Sequence, residues 1–118
     1  MSANDAQILQ QLKSATAGLL FMSESDYPFE LIHWDGTIDL TRDYLCRRSG
    51  FPEDCRVEET TVDEFFVTER YKNVVHVLTR NLTGLRVYRV GERNIAVYIV
   101  GRSKEGNWLG VSTRVVWT

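Results

Sequence analysis

Apolar residues return at helical spacing in two stretches of the chain and at strand spacing in a third. From Asn4, the positions Ile8, Leu9, Leu12 and Ala15 make one stripe, with Gln10, Gln11, Lys13 and Ser14 on the wet side. Asn4 and Gln7 match a capping box, and Gly18 supplies a stop. A second stripe runs through Tyr71, Val74, Val75, Leu78 and Leu82, with Thr68 as its cap and Gly84 as its end. Shorter pieces lie between. Leu19–Met22 reads as a core-facing run and Ser23–Asp26 as a polar loop, after which Pro28 pushes Tyr27 into extended geometry. Phe29–Trp34 reads as a strand that turns at Asp35-Gly36, and Arg42–Ser49 as a helix between Thr41 and Gly50. Arg56–Glu59 is a short strand, and Thr61 with Glu64 caps a turn through Phe65 and Phe66.

The last third alternates. Leu85–Val90, Ile95–Val100 and Trp108–Trp117 read as strands, separated by the polar turns Gly91–Asn94 and Gly101–Asn107. Connections this short make the neighbours antiparallel. The middle strand decides the architecture. Ile95, Val97 and Ile99 face one way, Ala96, Tyr98 and Val100 the other, and both sets are apolar. Both faces therefore need cover. The expectation is an α+β fold, a single domain over residues 1–118, arranged as a three-layer α/β/α sandwich with a mainly antiparallel sheet.

Composition adds limits. With 43% apolar and 25% charged residues, the 118-residue chain is neither disordered nor a disulfide scaffold. No apolar run approaches the roughly 20 residues of a membrane span. No secretion signal is visible at Met1–Asp5, and Cys46 and Cys55 are only two. Free thiols and a cytoplasmic location are expected. The net charge is −2, but it is unevenly placed. Residues 1–59 hold eleven acids and five bases, residues 60–118 five acids and nine bases. The acidic stretches Ser23–Asp43 and Glu53–Glu64 are either a solvated surface or a surface that steers towards a basic partner.

Signals for catalysis are weak. Gly101, Gly106 and Gly110 lack the lysine and helix of a phosphate loop. His33 and His76 stand 43 residues apart on different elements, without clustered partners, so the expected metal of its own is none. No local signature supports a Cys–His nucleophile at Cys46 or Cys55, and Glu24 with Asp26 reads better as loop carboxylates than as an acid–base pair. Arg86, Arg89, Arg93 and Arg102 lie near Tyr88 and Tyr98, but strand alternation separates Arg86 from Arg89. The overall charge is also wrong for direct nucleic-acid binding. The reading is a non-enzyme without cofactor, contacting neither nucleic acid nor membrane.

The run Leu19-Leu-Phe-Met-Ser-Glu-Ser-Asp-Tyr-Pro-Phe-Glu30 resembles the nuclease A inhibitor-like family, proteinaceous inhibitors of sugar-non-specific nucleases. Ile8-Leu9 and Gln11-Leu12-Lys13 agree in register, as do Val87-Tyr88-Arg89, Gly91-Glu92, Val97-Tyr98, Gly101, Gly106-Asn107, Gly110, Ser112-Thr113, Val115-Val116 and Thr118. The resemblance implies an α/β/α fold and a sugar-non-specific endonuclease as partner, whose divalent metal and basic groove the inhibitor occupies. Carried over by position, Glu24 meets a basic side chain and Thr118 reaches the partner's metal through its carboxylate and hydroxyl. A magnesium site accepts such hard oxygens in place of a phosphate. Asp26 and Trp117 stand beside them as further candidates for partner binding. Two differences are visible. Val67–Arg70 runs directly into the helix where the family pattern has a longer acidic insertion with an Asp-Trp pair, and position 117 is Trp where the pattern has an acid. A second reading therefore stays open: a module of the same fold that binds another protein through its acidic surface or its Trp117 end.

Overall fold

The structure is a computed structural model that describes residues 4–21 and 27–116. In chain order its elements are α1 (Asp5–Thr16), β1 (Leu20–Phe21), β2 (Tyr27–Pro28), β3 (Glu30–Trp34), α2 (Arg42–Arg48), β4 (Val57–Thr60), α3 (Val62–Phe65), a 3-10 turn (Glu69–Tyr71), α4 (Lys72–Asn81), β5 (Thr83–Val90), β6 (Asn94–Arg102) and β7 (Trp108–Val116). No helix among the described residues is long and apolar enough to cross a membrane.

The capping chemistry sets α1. Asn4 Oδ1 accepts from the Gln7 amide at 2.8 Å, and Gln7 Oε1 accepts from the Asn4 amide at 2.9 Å. Two of the helix's orphan donors are satisfied in this way. Ile8 and Leu12 are buried, with Leu9 and Ala15 partly so. The start of α4 differs from the expectation. Thr68 makes no side-chain cap bond, and the first turn is 3-10. Tyr71 is buried there among aromatic rings, and the α-helix begins only after it. The end differs too. Leu82 is already extended, and Gly84 lies inside β5 at φ +61°. The register of β5 against β6 slips between Thr83 and Arg86, and a residue without a Cβ absorbs that bulge. Leu19–Met22 is not a continuous core run. Phe21 packs inward while Leu20 is 41% exposed, as strand alternation requires, and Met22 lies outside the described residues.

The main sheet has the order β3-β7-β6-β5-β4, and every neighbouring pair is antiparallel. β6 is central. Its Ile95, Val97 and Ile99 join one apolar cluster with Ile8 and Leu12 of α1, Val62 of α3, and Val74 and Leu78 of α4. Its Ala96, Tyr98 and Val100 join a second cluster with Leu45 and Cys46 of α2, together with Trp34 and Trp108. Alternation puts the two clusters on opposite faces of the sheet. Cover is therefore unequal: three helices serve one face, and the seven residues of α2 serve the other.

The expectation of free cysteines fails. Cys46 and Cys55 form a disulfide. The reason is a fold-back that nine-residue spacing does not reveal. The Phe51 amide donates to the Cys46 carbonyl at 2.9 Å and the Cys55 amide to the Pro52 carbonyl at 3.0 Å. These turns return the chain to α2 and leave the two Cα atoms 6.0 Å apart, within the normal range for a disulfide. The bond ties α2 to the segment entering β4.

A polar anchor holds the other side. Asp5, in the first turn of α1, is only 6% exposed. Its Oδ2 accepts from Asn107 Nδ2 at 2.8 Å and lies 3.5 Å from His33 Nε2. α1 is thus pinned to the β6–β7 connection and to β3. Asp5 Oδ1 and Ser103 Oγ are buried without a partner of good hydrogen-bond geometry, so Ser103 acts on the carboxylate as a nearby dipole. Burial pushes the Asp5 carboxyl upward. The side chains of Asn107, Ser103 and Glu105, with the charge of His33, outweigh that push and hold it below the ordinary carboxylate value.

Two outcomes are expected. Replacing Cys46 and Cys55 together by alanine should lower the free energy of urea unfolding by about 2–3 kcal/mol, the chain-entropy value for so short a loop. Unfolding curves of the parent that do not respond to a reductant would count against the bond. Asp5→Asn should destabilise at neutral pH. Because the folded carboxyl titrates below its unfolded value, the parent's advantage is full above about pH 4 and fades as pH falls through the lowered folded value. A difference between the two proteins that stays constant down to acid pH would show that Asp5 contributes only packing.

Candidate partner-binding surface

The four residues singled out for partner binding, Glu24, Asp26, Trp117 and Thr118, lie outside the described residues. The elements that lead to them are described. β1 and β2 pair antiparallel, Leu20 opposite Pro28 and Phe21 opposite Tyr27, and residues 22–26 connect them. This two-stranded piece is too small to stand alone. Phe21 docks it. Its ring stacks on Phe65 at 4.6 Å between centroids and on Tyr71 at 5.4 Å, and meets Phe29 and Phe66 edge-on at 6.3 and 6.4 Å. The Tyr71 hydroxyl also donates to the Leu20 carbonyl at 3.3 Å. Each ring pair adds roughly 0.5–1.5 kcal/mol beyond area burial. The sequence reading missed this cluster. Its signal was there in composition, since four of the five phenylalanines take part, but they come from three separated places in the chain.

The same hairpin base rests on β7. Thr113 is buried, and its hydroxyl donates to the Pro28 carbonyl at 3.1 Å and to the Tyr27 carbonyl at 3.4 Å. β3 accompanies β7 only as far as Ser112, opposite Glu30. Beyond it, β2 lies against β7, which continues to Val116. The chain leading into Trp117 and Thr118 and the chain leading out of residues 22–26 therefore meet at one end of the molecule.

An open groove of about 640 Å³ lies beside this meeting point, on the face that α2 covers incompletely. Tyr27 and Pro28 form one wall, and Arg48 and Trp34 lie on the other side of a floor that includes Tyr98 and Arg114. Its size suits a peptide or a small ligand.

The remaining candidates are separate. Arg86 and Arg89 stand opposite Val100 and Val97 of β6, hence on different faces, as alternation required. Arg102 is more than a solvated rim residue. Its Nη1 donates to the carbonyls of Gly36 at 2.7 Å and Gly106 at 2.8 Å, and its guanidinium lies 3.7 Å from the Trp108 ring. A side chain at Gly36 would strike the Gly106 carbonyl, so this close approach of the two loops requires glycine. His33 serves the Asp5 anchor, and His76 is exposed on α4. Among the described residues no three His, Cys, Asp or Glu side chains are grouped to hold a metal.

The family model for nuclease A inhibitor-like proteins matches residues 6–69 and 67–118. The chain belongs to the nuclease A inhibitor-like family. No curated protein matches it. The first matched stretch contains the β1–β2 hairpin with its 22–26 connection, and the second contains β7 and the residues after it. The match to the nuclease A inhibitor-like family thus covers both converging flanks.

Thr113→Val tests the junction. It keeps the shape of the side chain but leaves the carbonyls of Tyr27 and Pro28 without their donor. The expected cost is about 0.5–1.5 kcal/mol of stability, with faster amide exchange confined to β1 and β2. Exchange that is unaltered at Phe21 and Tyr27 would show that the aromatic cluster alone holds the hairpin.

Proposed function

We propose that this chain is a non-enzymatic protein inhibitor of a metal-dependent, sugar-non-specific endonuclease, which it blocks by occupying the enzyme's basic groove. Membership of the nuclease A inhibitor-like family over nearly the whole chain carries this reading. The convergence of β2 and β7 supports it, because these are the strands that flank the segments carrying Glu24, Asp26, Trp117 and Thr118. The proposal includes one domain over residues 1–118 in a three-layer α/β/α arrangement. Its support is the pair of apolar clusters on opposite faces of the sheet, each holding helical residues.

In this reading Thr118, at the position of the family's terminal threonine, offers a carboxylate and a neighbouring hydroxyl to the partner's divalent metal. Both are hard oxygen donors and imitate the phosphate that the metal is built to hold. Glu24 makes a charge-assisted hydrogen bond with a basic side chain of the groove, strengthened as water is excluded. The acidic stretches Ser23–Asp43 and Glu53–Glu64 raise the association rate by steering towards positive charge. The second reading, a module of the same fold with another protein partner, is favoured by one observation. The 3-10 turn begins at Glu69, soon after α3, with no acidic insertion before it.

Digestion of plasmid DNA by a panel of sugar-non-specific nucleases, with and without an excess of the protein, separates the two. Undiminished digestion throughout leaves the second. Where inhibition is found, adding two glycines after Thr118 should weaken it strongly while thermal unfolding is unchanged, since a neutral peptide bond replaces the carboxylate. Glu24→Gln should cost about 2–5 kcal/mol of binding, the range for a buried, hydrogen-bonded charge pair. An extended protein as potent as the parent would refute the metal-reaching mechanism.

A further inference from the structure

We infer that the groove beside the converging flanks is a docking surface for an extended, carboxylate-bearing segment of a partner protein. Two guanidiniums line it, and their present contacts are neutral. Arg48 lies 4.5 Å over the Trp34 ring and reaches the Tyr44 hydroxyl at 3.4 Å. Arg114 Nη1 donates to Asn94 Oδ1 at 3.4 Å. Among the described residues neither has a carboxylate within ion-pair distance, whereas Arg56 is paired with Glu58 and Arg86 with Glu59. What sets these two apart is that both line one shaped recess, of about 640 Å³.

The shape favours an extended peptide. The floor is a sheet face, with Tyr98 and Ser112 directly opposite each other on β6 and β7 and Arg114 two register pairs further along, on the same face. Alternate side chains of an extended segment would point at such a floor and could reach both guanidiniums. Each carboxylate would gain a charge-assisted bond, bidentate where the fork is free. The lining also holds one carboxylate, Glu30, so its formal charge is 2 − 1 = +1. That single acid opposes a polyanion with a charge on every unit, such as a nucleic acid, while leaving room for discrete carboxylates. The inference does not depend on the inhibitor reading, and its test uses no nuclease.

The test is a titration of the isotopically labelled full chain, followed by its amide resonances. The probes are a blocked peptide of alternating glutamate and glycine, the same peptide with glutamine for glutamate, and a single-stranded oligonucleotide. The glutamate peptide should produce saturable shifts at Tyr98, Ser112 and Arg114, and the glutamine peptide should not. Arg48→Gln with Arg114→Gln should weaken binding roughly tenfold or more, the scale of one lost charge-assisted bond. Arg48 is exposed and Arg114 half-buried, and Arg48→Glu alone provides a second variant should the pair perturb the fold. The proposal is overturned by the absence of saturable shifts at millimolar peptide, by equal binding of the glutamine peptide, or by an unchanged affinity in the variants. It is equally overturned if the oligonucleotide is preferred at the same amides.

Discussion

β6 is apolar on both of its faces, and no arrangement of this chain can leave either face in water. Val97 and Ile99 are fully buried on one side and Val100 on the other. Burying such side chains supplies roughly 1.5–3 kcal/mol each, so covering both faces dominates the choice of fold. The described residues supply four α-helices for the task, divided unevenly. α1, α3 and α4 pack with one cluster, and α2 alone serves the other. A seven-residue helix cannot cover a five-stranded sheet. The second face is completed by aromatic side chains, by a disulfide that keeps α2 in place, and by an open groove where cover runs out.

The better-covered face also builds the end where the β1–β2 hairpin meets β7. α3 and the 3-10 turn bring Phe65, Phe66 and Tyr71 together, and Phe21 inserts among them. A two-stranded hairpin that would be marginal alone thereby becomes part of the body of the molecule. Thr113 joins the hairpin to β7 from the other side. β2 and β7 are set side by side by packing and one hydroxyl.

Charge follows the same division. Glu58 and Glu59 on the edge strand β4 offset Arg56 and Arg86, and Arg102 is consumed by two carbonyls and a tryptophan ring. Asp5 is the one buried acid among the described residues, and the loop that it anchors helps hold its carboxyl below the ordinary value. Arg48 and Arg114, which line the groove, meet a ring, a hydroxyl and an amide oxygen instead of a carboxylate.

Most elements were legible in the residues alone because periodicity and capping are local. Asn4 with Gln7, Thr41, and Thr61 cap helices where their side chains stand in the sequence, and the alternation of Ile95–Val100 required two-sided burial before any coordinates. The boundary at Gly84 was misread because a glycine stop and a glycine bulge look alike until the register of β5 against β6 is known. Everything that joins distant residues was decided by the tertiary structure. The Cys46–Cys55 bond needed turns at Phe51 and Cys55 that no spacing rule specifies. The aromatic cluster draws on positions 21, 29, 65, 66 and 71, and the Asp5 anchor spans 102 residues to Asn107. A local pattern states which face of an element must be buried. Which other face buries it is set by strand order and packing distance, and these exist only once the chain has closed on itself.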